Sequence, residues 1–363
     1  MSISEKNSLP TGLTLILNEI AKSQMRKKRG SMKVVIGVSD YSFEKIASQF
    51  RELGIEIDYN RVSDEEGYSL WRCSATRRVR GLILTGSFFV LNKGVSMHFI
   101  TGERSIFLKN VILYLIKNSF PDLLRAYVTS DELYSLLEDF SEREKVELRY
   151  NEFVYKKMFG EAFTDRRHER RTDPFRYKLF QEAFKKAKEQ DGWLDRIRVF
   201  GGKYTFTVSR SGILRCYEGN FNEFYRFFLS RFVELSVAKW KVFEKRSRRE
   251  STEREVRPIL VQFDSNVFED VSVKKQFLQT IEMYPNCSYS VIHGGNPHLY
   301  LTLLDKSDNS SFTVRTYGSN ALMVVPQIRS TKAALVRFSK HILDNFQEGK
   351  ALDFQTEGLA VGK

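Results

Sequence analysis

Residues 310–327, SSFTVRTYGSNALMVVPQ, alternate apolar and polar side chains on both sides of a Gly-containing turn, the pattern of a β-hairpin. The same register, Phe-x-Val-x-x-x-Gly, occurs twice more. It is carried by Phe88, Val90 and Gly94, by Phe206, Val208 and Gly212, and by Phe312, Val314 and Gly318. A motif written three times in one chain calls for a search for internal repeats. After each hairpin comes a stretch of helical apolar spacing: RSIFLKNVILYLIKNSF, then Phe221, Phe224, Phe228, Phe232 and Leu235, then Leu335, Phe338, Ile342 and Phe346. Upstream, MKVVIGVSD (32–40) and RPILVQFDS (257–265) are expected strands, each followed by an amphipathic helix. The middle copy offers KVELRYNEFVY (145–155) and DPFRYKLFQEAFKKAKEQ, separated by the basic insertion GEAFTDRRHERRTD.

The expected fold class is therefore α+β: three tandem units of strand, helix, several antiparallel strands and helix. An antiparallel sheet has one face to bury, and two amphipathic helices cover it. The expected organisation is a basic N-terminal arm (1–31), units over 32–125, 126–238 and 257–349, a charged linker (239–256) and a flexible tail (350–363). Period-two alternation sends the Phe and Val of each motif towards the helices. Their neighbours Phe89, Thr207, Ser209, Thr313 and Arg315 then occupy an open face.

This unit order resembles the repeat of the TATA-binding-protein-like superfamily. The closest local likeness is FFVLNKGVSMHFITGERSIFLKNVILYLI, where a strand, a Gly turn, a strand ending in Thr101-Gly102 and a helix follow one another. The resemblance implies a curved sheet backed by helices, with an uncovered face of the kind that superfamily presses onto DNA. The transcription factor of that family has two repeats; three are expected here.

A chain of 363 residues with a net charge of +13 exceeds the usual size of a single core and favours an anionic partner. Nucleic acid is the expected partner, DNA ahead of RNA. Two basic clusters lack acidic members: Arg26, Lys27, Lys28 and Arg29 in the arm, and Arg72, Arg77, Arg78 and Arg80 leading into the first hairpin. Arginine binds phosphate through a planar fork, and several such contacts make binding salt-sensitive. With Phe89, Thr207, Ser209, Thr313 and Arg315 these clusters are the expected contact set. Protein partners docking on the open sheet faces are the alternative, which would make the chain a non-catalytic assembly subunit.

A third reading is a metal-dependent nuclease built on Asp165, His168, Glu169 and Asp173, but those acids alternate with arginines. No phosphate-binding glycine loop, nucleophile elbow or zinc spacing occurs, and His293 and His298 lack a third ligand. No catalytic residue, metal or cofactor is assigned. Cys73, Cys216 and Cys287 are too few and too far apart for a disulfide framework, which suits an intracellular setting, cytoplasmic or nuclear. The runs LTLIL (13–17) and VILYLI (111–116) are too short to cross a bilayer, so no membrane partner is expected.

Overall fold

The computed structural model describes residues 20, 31–65, 67–157, 162–166, 177–243, 257–294 and 298–354. The basic arm bearing Arg26, Lys27, Lys28 and Arg29 lies outside them, as do His168, Glu169 and Asp173. The protein is a mixed α+β structure built on two antiparallel sheets. The chain divides into two compact units, residues 1–156 with 162–237, and residues 157–161 with 238–363. The first two expected segments therefore share one body.

In the first unit β1 (Met32–Val38) leads through α1 (Phe43–Ser48) into a meander of β2 (Ile55–Glu65), β3 (Tyr68–Val79), β4 (Leu82–Lys93) and β5 (Ser96–Thr101). Helix α2 follows over 105–118, with a π-helical turn at Leu108–Ile112. The chain returns through β6 (Leu124–Arg125) to α3 (Ser130–Glu144), whose start is fixed by a capping box. Thr129 Oγ1 accepts from Glu132 N at 3.2 Å, and Glu132 Oε2 accepts from Thr129 N at 2.7 Å. Then come β7 (Arg149–Lys157), β8 (Ala162–Arg166), α4 (Phe180–Glu189) and the meander β9 (Gly192–Gly201), β10 (Tyr204–Ser209) and β11 (Ile213–Glu218). Helix α5 follows over 221–242, again with a π turn, at Tyr225–Leu229, and its last residues, from Ala238, belong to the second unit.

Among the described residues the sheet runs β2-β3-β4-β5-β1-β11-β10-β9-β7-β8, with β6 also on β1. In the first segment the opening strand β1 sits beside the closing strand β5. In the second segment the opening strand β7 sits at the far side, next to β9. The middle segment thus keeps the hairpin and its helix but not the spatial strand order of the first.

Residues directly opposite in an antiparallel pair project to the same face of a sheet. Phe89 lies opposite Ile100, Ile100 opposite Val34, Val34 opposite Leu214, and Leu214 opposite Val208. Phe89 therefore shares a face with Val208, the core residue of the second hairpin, and Thr207 is on the other side. Helices α1 and α2 pack on the face carrying Val35, Phe88, Val90, Met97 and Phe99, here termed the front. Helices α3 and α5 pack on the opposite, back face, where Phe206 lies 5.3 Å from Phe140, 5.1 Å from Phe224 and 5.6 Å from Phe228. Helix α4 joins them, its Phe180 and Phe184 packing around Tyr134 at 5.6 and 5.1 Å. The two halves of one sheet are thus covered from opposite sides. Where the coverings overlap, every residue of β1 is buried.

The second unit contains β12 (Ile259–Phe263), α6 (Val271–Glu282), the meander β13 (Cys287–His293), β14 (Tyr300–Asp305), β15 (Ser310–Tyr317) and β16 (Ala321–Pro326), then α7 (Lys332–Asn345) and β17 (Gly349–Asp353). Its order, β13-β14-β15-β16-β12-β17, repeats that of the first segment, with the opening strand beside the closing one. Residues 350–353, expected in a flexible tail, instead pair with β12 as β17. That strand occupies on β12 the edge that β11 occupies on β1. The core is aromatic: Phe277, Phe346, Phe263 and Phe268 cluster at ring separations of 5.1–5.9 Å, and Phe312 meets Phe338 at 4.9 Å. Fully buried Asp305 accepts from Tyr284 Oη at 2.7 Å and pairs with Arg337, which ties β14 to α7 and to the end of α6.

All three motif glycines hold positive φ, +55°, +71° and +65°, and the six motif Phe and Val side chains are buried. Gly212 is the most constrained, because a Cβ there would come within 2.8 Å of the Ala126 carbonyl oxygen.

Candidate nucleic-acid interface

Among the described residues, the opposed packing leaves two patches of the first sheet without a helix over them, one on each face. On the back, Arg72, Ser74 and Arg78 of β3 are exposed, beside half-buried Phe89 and Ser87 of β4. Arg72 sits directly opposite Phe89. Arg80 is exposed in the β3–β4 turn at φ +49°. Arg77 does not belong with them. Alternation turns it to the front, where it donates to the Asn110 carbonyl and lies 3.2 Å from the centroid of the Tyr114 ring. It clamps α2 from the front face, apart from the other arginines of its cluster.

On the front, the uncovered area is the half formed by β9, β10 and β11. Arg196 and Arg198 alternate with buried Ile197 and Val199 along β9, and Arg215 and Tyr217 project to the same side from β11. One rung crosses four strands: Arg198 opposite Thr207, Thr207 opposite Arg215, Arg215 opposite Lys33. The Arg198 guanidinium lies 4.3 Å from the Tyr217 ring centroid, and its Nε is buried without a hydrogen-bond partner. Arg196 is held by Glu152 at 3.0 Å. Among the described residues neither Arg198 nor Arg215 has an ion-pair partner.

Lys33 ends the rung as a buried ammonium, donating to the carbonyls of Glu103 at 2.6 Å and Ser31 at 3.2 Å. Burial lowers its pKa to about 8; the neighbouring Arg215 cation adds to the fall and Glu103 opposes it. The ammonium thus sits where burial and a neighbouring cation disfavour its charge, held by two carbonyl oxygens.

Thr207 and Ser209 were expected on a face with Phe89. They lie on the opposite face and are buried, Thr207 within 3.5 Å of the Tyr217 hydroxyl and Ser209 within 2.9 Å of Ser211. Among the described residues no helix covers them; short side chains in a row of arginines and tyrosine lie in their shadow. They form the floor of the patch and the arginines its surface. Thr313 and Arg315 belong to the second unit. Thr313 is buried, whereas Arg315 is exposed and rests on the Met323 sulfur at 3.0 and 3.2 Å.

The front arginines were missed in the sequence because they are dispersed. Arg196 and Arg198 stand singly in DRIRVFGG and Arg215 in ILRCYEG, so no charge run announces them. Their signal was an arginine at every second position of a strand. Of the segment offered for metal chemistry, only Asp165 has a described backbone, in β8. His293 and His298 are exposed. Among the described residues no helix is long and apolar enough to cross a membrane.

The fold and the patch define an α+β protein with an arginine-lined, half-solvated sheet face. No family model matches the chain, and no curated protein matches it.

Proposed function

We propose that the protein binds nucleic acid, laying a single strand across the front arginines of its first unit. The observation that carries this reading is the rung Arg198–Thr207–Arg215: two arginines that have no ion-pair partner among the described residues, beside the Tyr217 ring. Cations that track phosphates, interleaved with rings on which bases stack, form the usual platform for unpaired strands. Duplex DNA fits less well, since the helices on opposite faces interrupt any continuous concave surface. The first and third segments, which share one spatial strand order, are on this reading copies of a module related to the TATA-binding-protein-like repeat, with the middle segment divergent. DNA is the first polymer to test, and RNA the second.

Fluorescence anisotropy with single-stranded DNA, duplex DNA and RNA over a salt series tests the reading. Contacts from Arg196, Arg198 and Arg215 give a log–log slope near −2 on a single strand, at about −0.7 per phosphate. Arg198→Glu with Arg215→Glu abolishes that binding. Absence of binding to all three polymers at low salt, or full affinity in the double variant, refutes it. A second reading, docking of a protein strand, is favoured by one feature: β13 is an edge strand whose Val291 and Ile292 are 41% and 57% exposed. Sedimentation of the chain across a concentration series, with and without Ile292→Lys, tests self-pairing at that edge.

A further inference from the structure

Among the described residues the two sheets end in four terminal strands, β2 and β8 in the first, β13 and β17 in the second. A terminal strand offers unpaired backbone N–H and C=O groups to any other strand, and charged side chains are the common guard against that. Three of the four have such a guard: β2 holds five charged residues, β8 and β17 two each. Strand β13 holds none, and from Met283 to Leu304 the sequence contains no acid, lysine or arginine. The contrast with β2 is the sharpest, since β2 and β13 take the same place in the strand order that the first segment and the second unit share. The unguarded edge is also accessible: Val291 and Ile292 are 41% and 57% exposed, as is Met283, at the end of α6, to 52%.

The regular part of β13 is short and bounded at both ends. Asn286, at φ +55°, precedes it, and its register with β14 shifts at Ile292. It therefore runs from Cys287 to Val291, with Tyr289 at the midpoint. Paired antiparallel with itself about a twofold axis, this stretch sets Tyr289 against its own counterpart, Ser288 against Ser290, and Cys287 against Val291. Aromatic and hydroxyl pairs stabilise cross-strand contacts, and here no charge meets its like. Each Tyr289 is steered by its hydroxyl, which donates to Glu282 Oε1 at 2.9 Å. We propose that β13 joins two copies of the chain as an antiparallel pair centred on Tyr289, merging their six-stranded sheets into one. A second copy is the occupant that requires this sequence. A chain of net charge +13 repels its own kind, so self-pairing is confined to a charge-free edge, whereas a foreign acidic strand would be drawn to a basic one. The inference rests on the strand-docking reading and is independent of the nucleic-acid one.

The test is sedimentation of the full chain over a concentration series at low and high salt. One strand pair covers less than the ~1,200 Å² at which standard interfaces begin, so the dimer is weak and forms at high chain concentration. Salt screens the charge of each copy and strengthens the dimer, whereas association bridged by nucleic acid weakens with salt. Val291→Lys loosens the dimer about tenfold or more. Crosslinking reads the register. In a Cys287→Ser background, Ser288→Cys and Ser290→Cys chains form a disulfide-linked dimer when mixed under mild oxidation, far faster than either chain alone. Only the unlike pair brings its Cα atoms within the ~4.4–6.8 Å that a disulfide spans. Each variant is checked by urea unfolding, with Ser290→Lys used if Val291→Lys fails to fold. A dimer that survives the lysine variant, or equal crosslinking of mixed and unmixed chains, overturns the proposal. A monomer at every concentration and salt overturns it too. In that case a peptide of alternating valine and threonine is titrated by NMR: shifts confined to β13 uphold strand docking while self-pairing falls, and no shifts overturn both.

Discussion

Acidification loosens the first unit through one side chain, His98. This residue of β5 is fully buried on the back face, its Nδ1 2.9 Å from the Tyr225 hydroxyl of α5 and its Nε2 buried without a partner. Desolvation, with a smaller contribution from Lys93, lowers its pKa from 6.5 to about 3. Since the folded value is depressed, the unfolded chain takes up a proton between pH 6.5 and 3 that the native protein refuses. Stability is therefore complete above pH 6.5 and falls as pH drops through that window. At about 1.4 kcal/mol per pH unit, the loss is about 2 kcal/mol by pH 5 and approaches about 5 kcal/mol near pH 3. The assay is urea unfolding at pH 7 and pH 5 followed by tryptophan fluorescence in a Trp240→Phe background. Trp71 and Trp193, both buried in the first unit, then report alone. In His98→Gln, whose amide still meets Tyr225, the pH-dependent loss is smaller by about 2 kcal/mol. Equal losses in the two proteins would refute the reasoning.

Phe140→Ala empties the centre of the ring cluster formed with Tyr204, Phe206, Phe224 and Phe228, and costs about 3–5 kcal/mol in the same unfolding assay. Gly212→Ala destabilises more than Gly318→Ala in thermal melts. Both positions carry positive φ, but a Cβ collides with the Ala126 carbonyl only at Gly212. Arg77→Ala lowers the melting temperature and leaves oligonucleotide affinity close to that of the parent, the reverse of Arg198→Glu. Oligonucleotide affinity declines as pH rises through about 8 and declines less in Lys33→Met, because Lys33 loses its proton in that range unless a phosphate holds it; an identical pH profile in both proteins would count against phosphate near Arg215.

The hairpins were legible because their instructions are local: Phe88, Val90 and Gly94 and their two counterparts fix alternation and turn within seven residues. Which face of the sheet each helix covers is not local. It depends on β1 pairing with β11, an adjacency of strands about 180 residues apart that alternation within either strand cannot report. For that reason Phe89 and Thr207 were grouped on one face although they lie on two. β17 escaped notice because GKALD has little β-branched character and gains its place from the free edge of β12. Arg77 looked like its neighbours Arg78 and Arg80 because a charge run does not show which members alternation turns inward. Arg196, Arg198 and Arg215 went unseen for the opposite reason: their cluster exists only after three strands are paired.

Covering one sheet from opposite sides makes its halves inseparable in a way that the second unit is not. A gene cut between residues 125 and 126 would strip β1 of its neighbour β11 and bare the side of His98 that Tyr225 protects, so that the amino-terminal fragment would carry both a raw hydrogen-bonding edge and an oily underside. In the carboxyl-terminal module β12 finds its second neighbour in β17, a strand of the same unit. Of the three written copies of the motif, it is the one whose opening strand is flanked on both sides from within its own stretch of sequence.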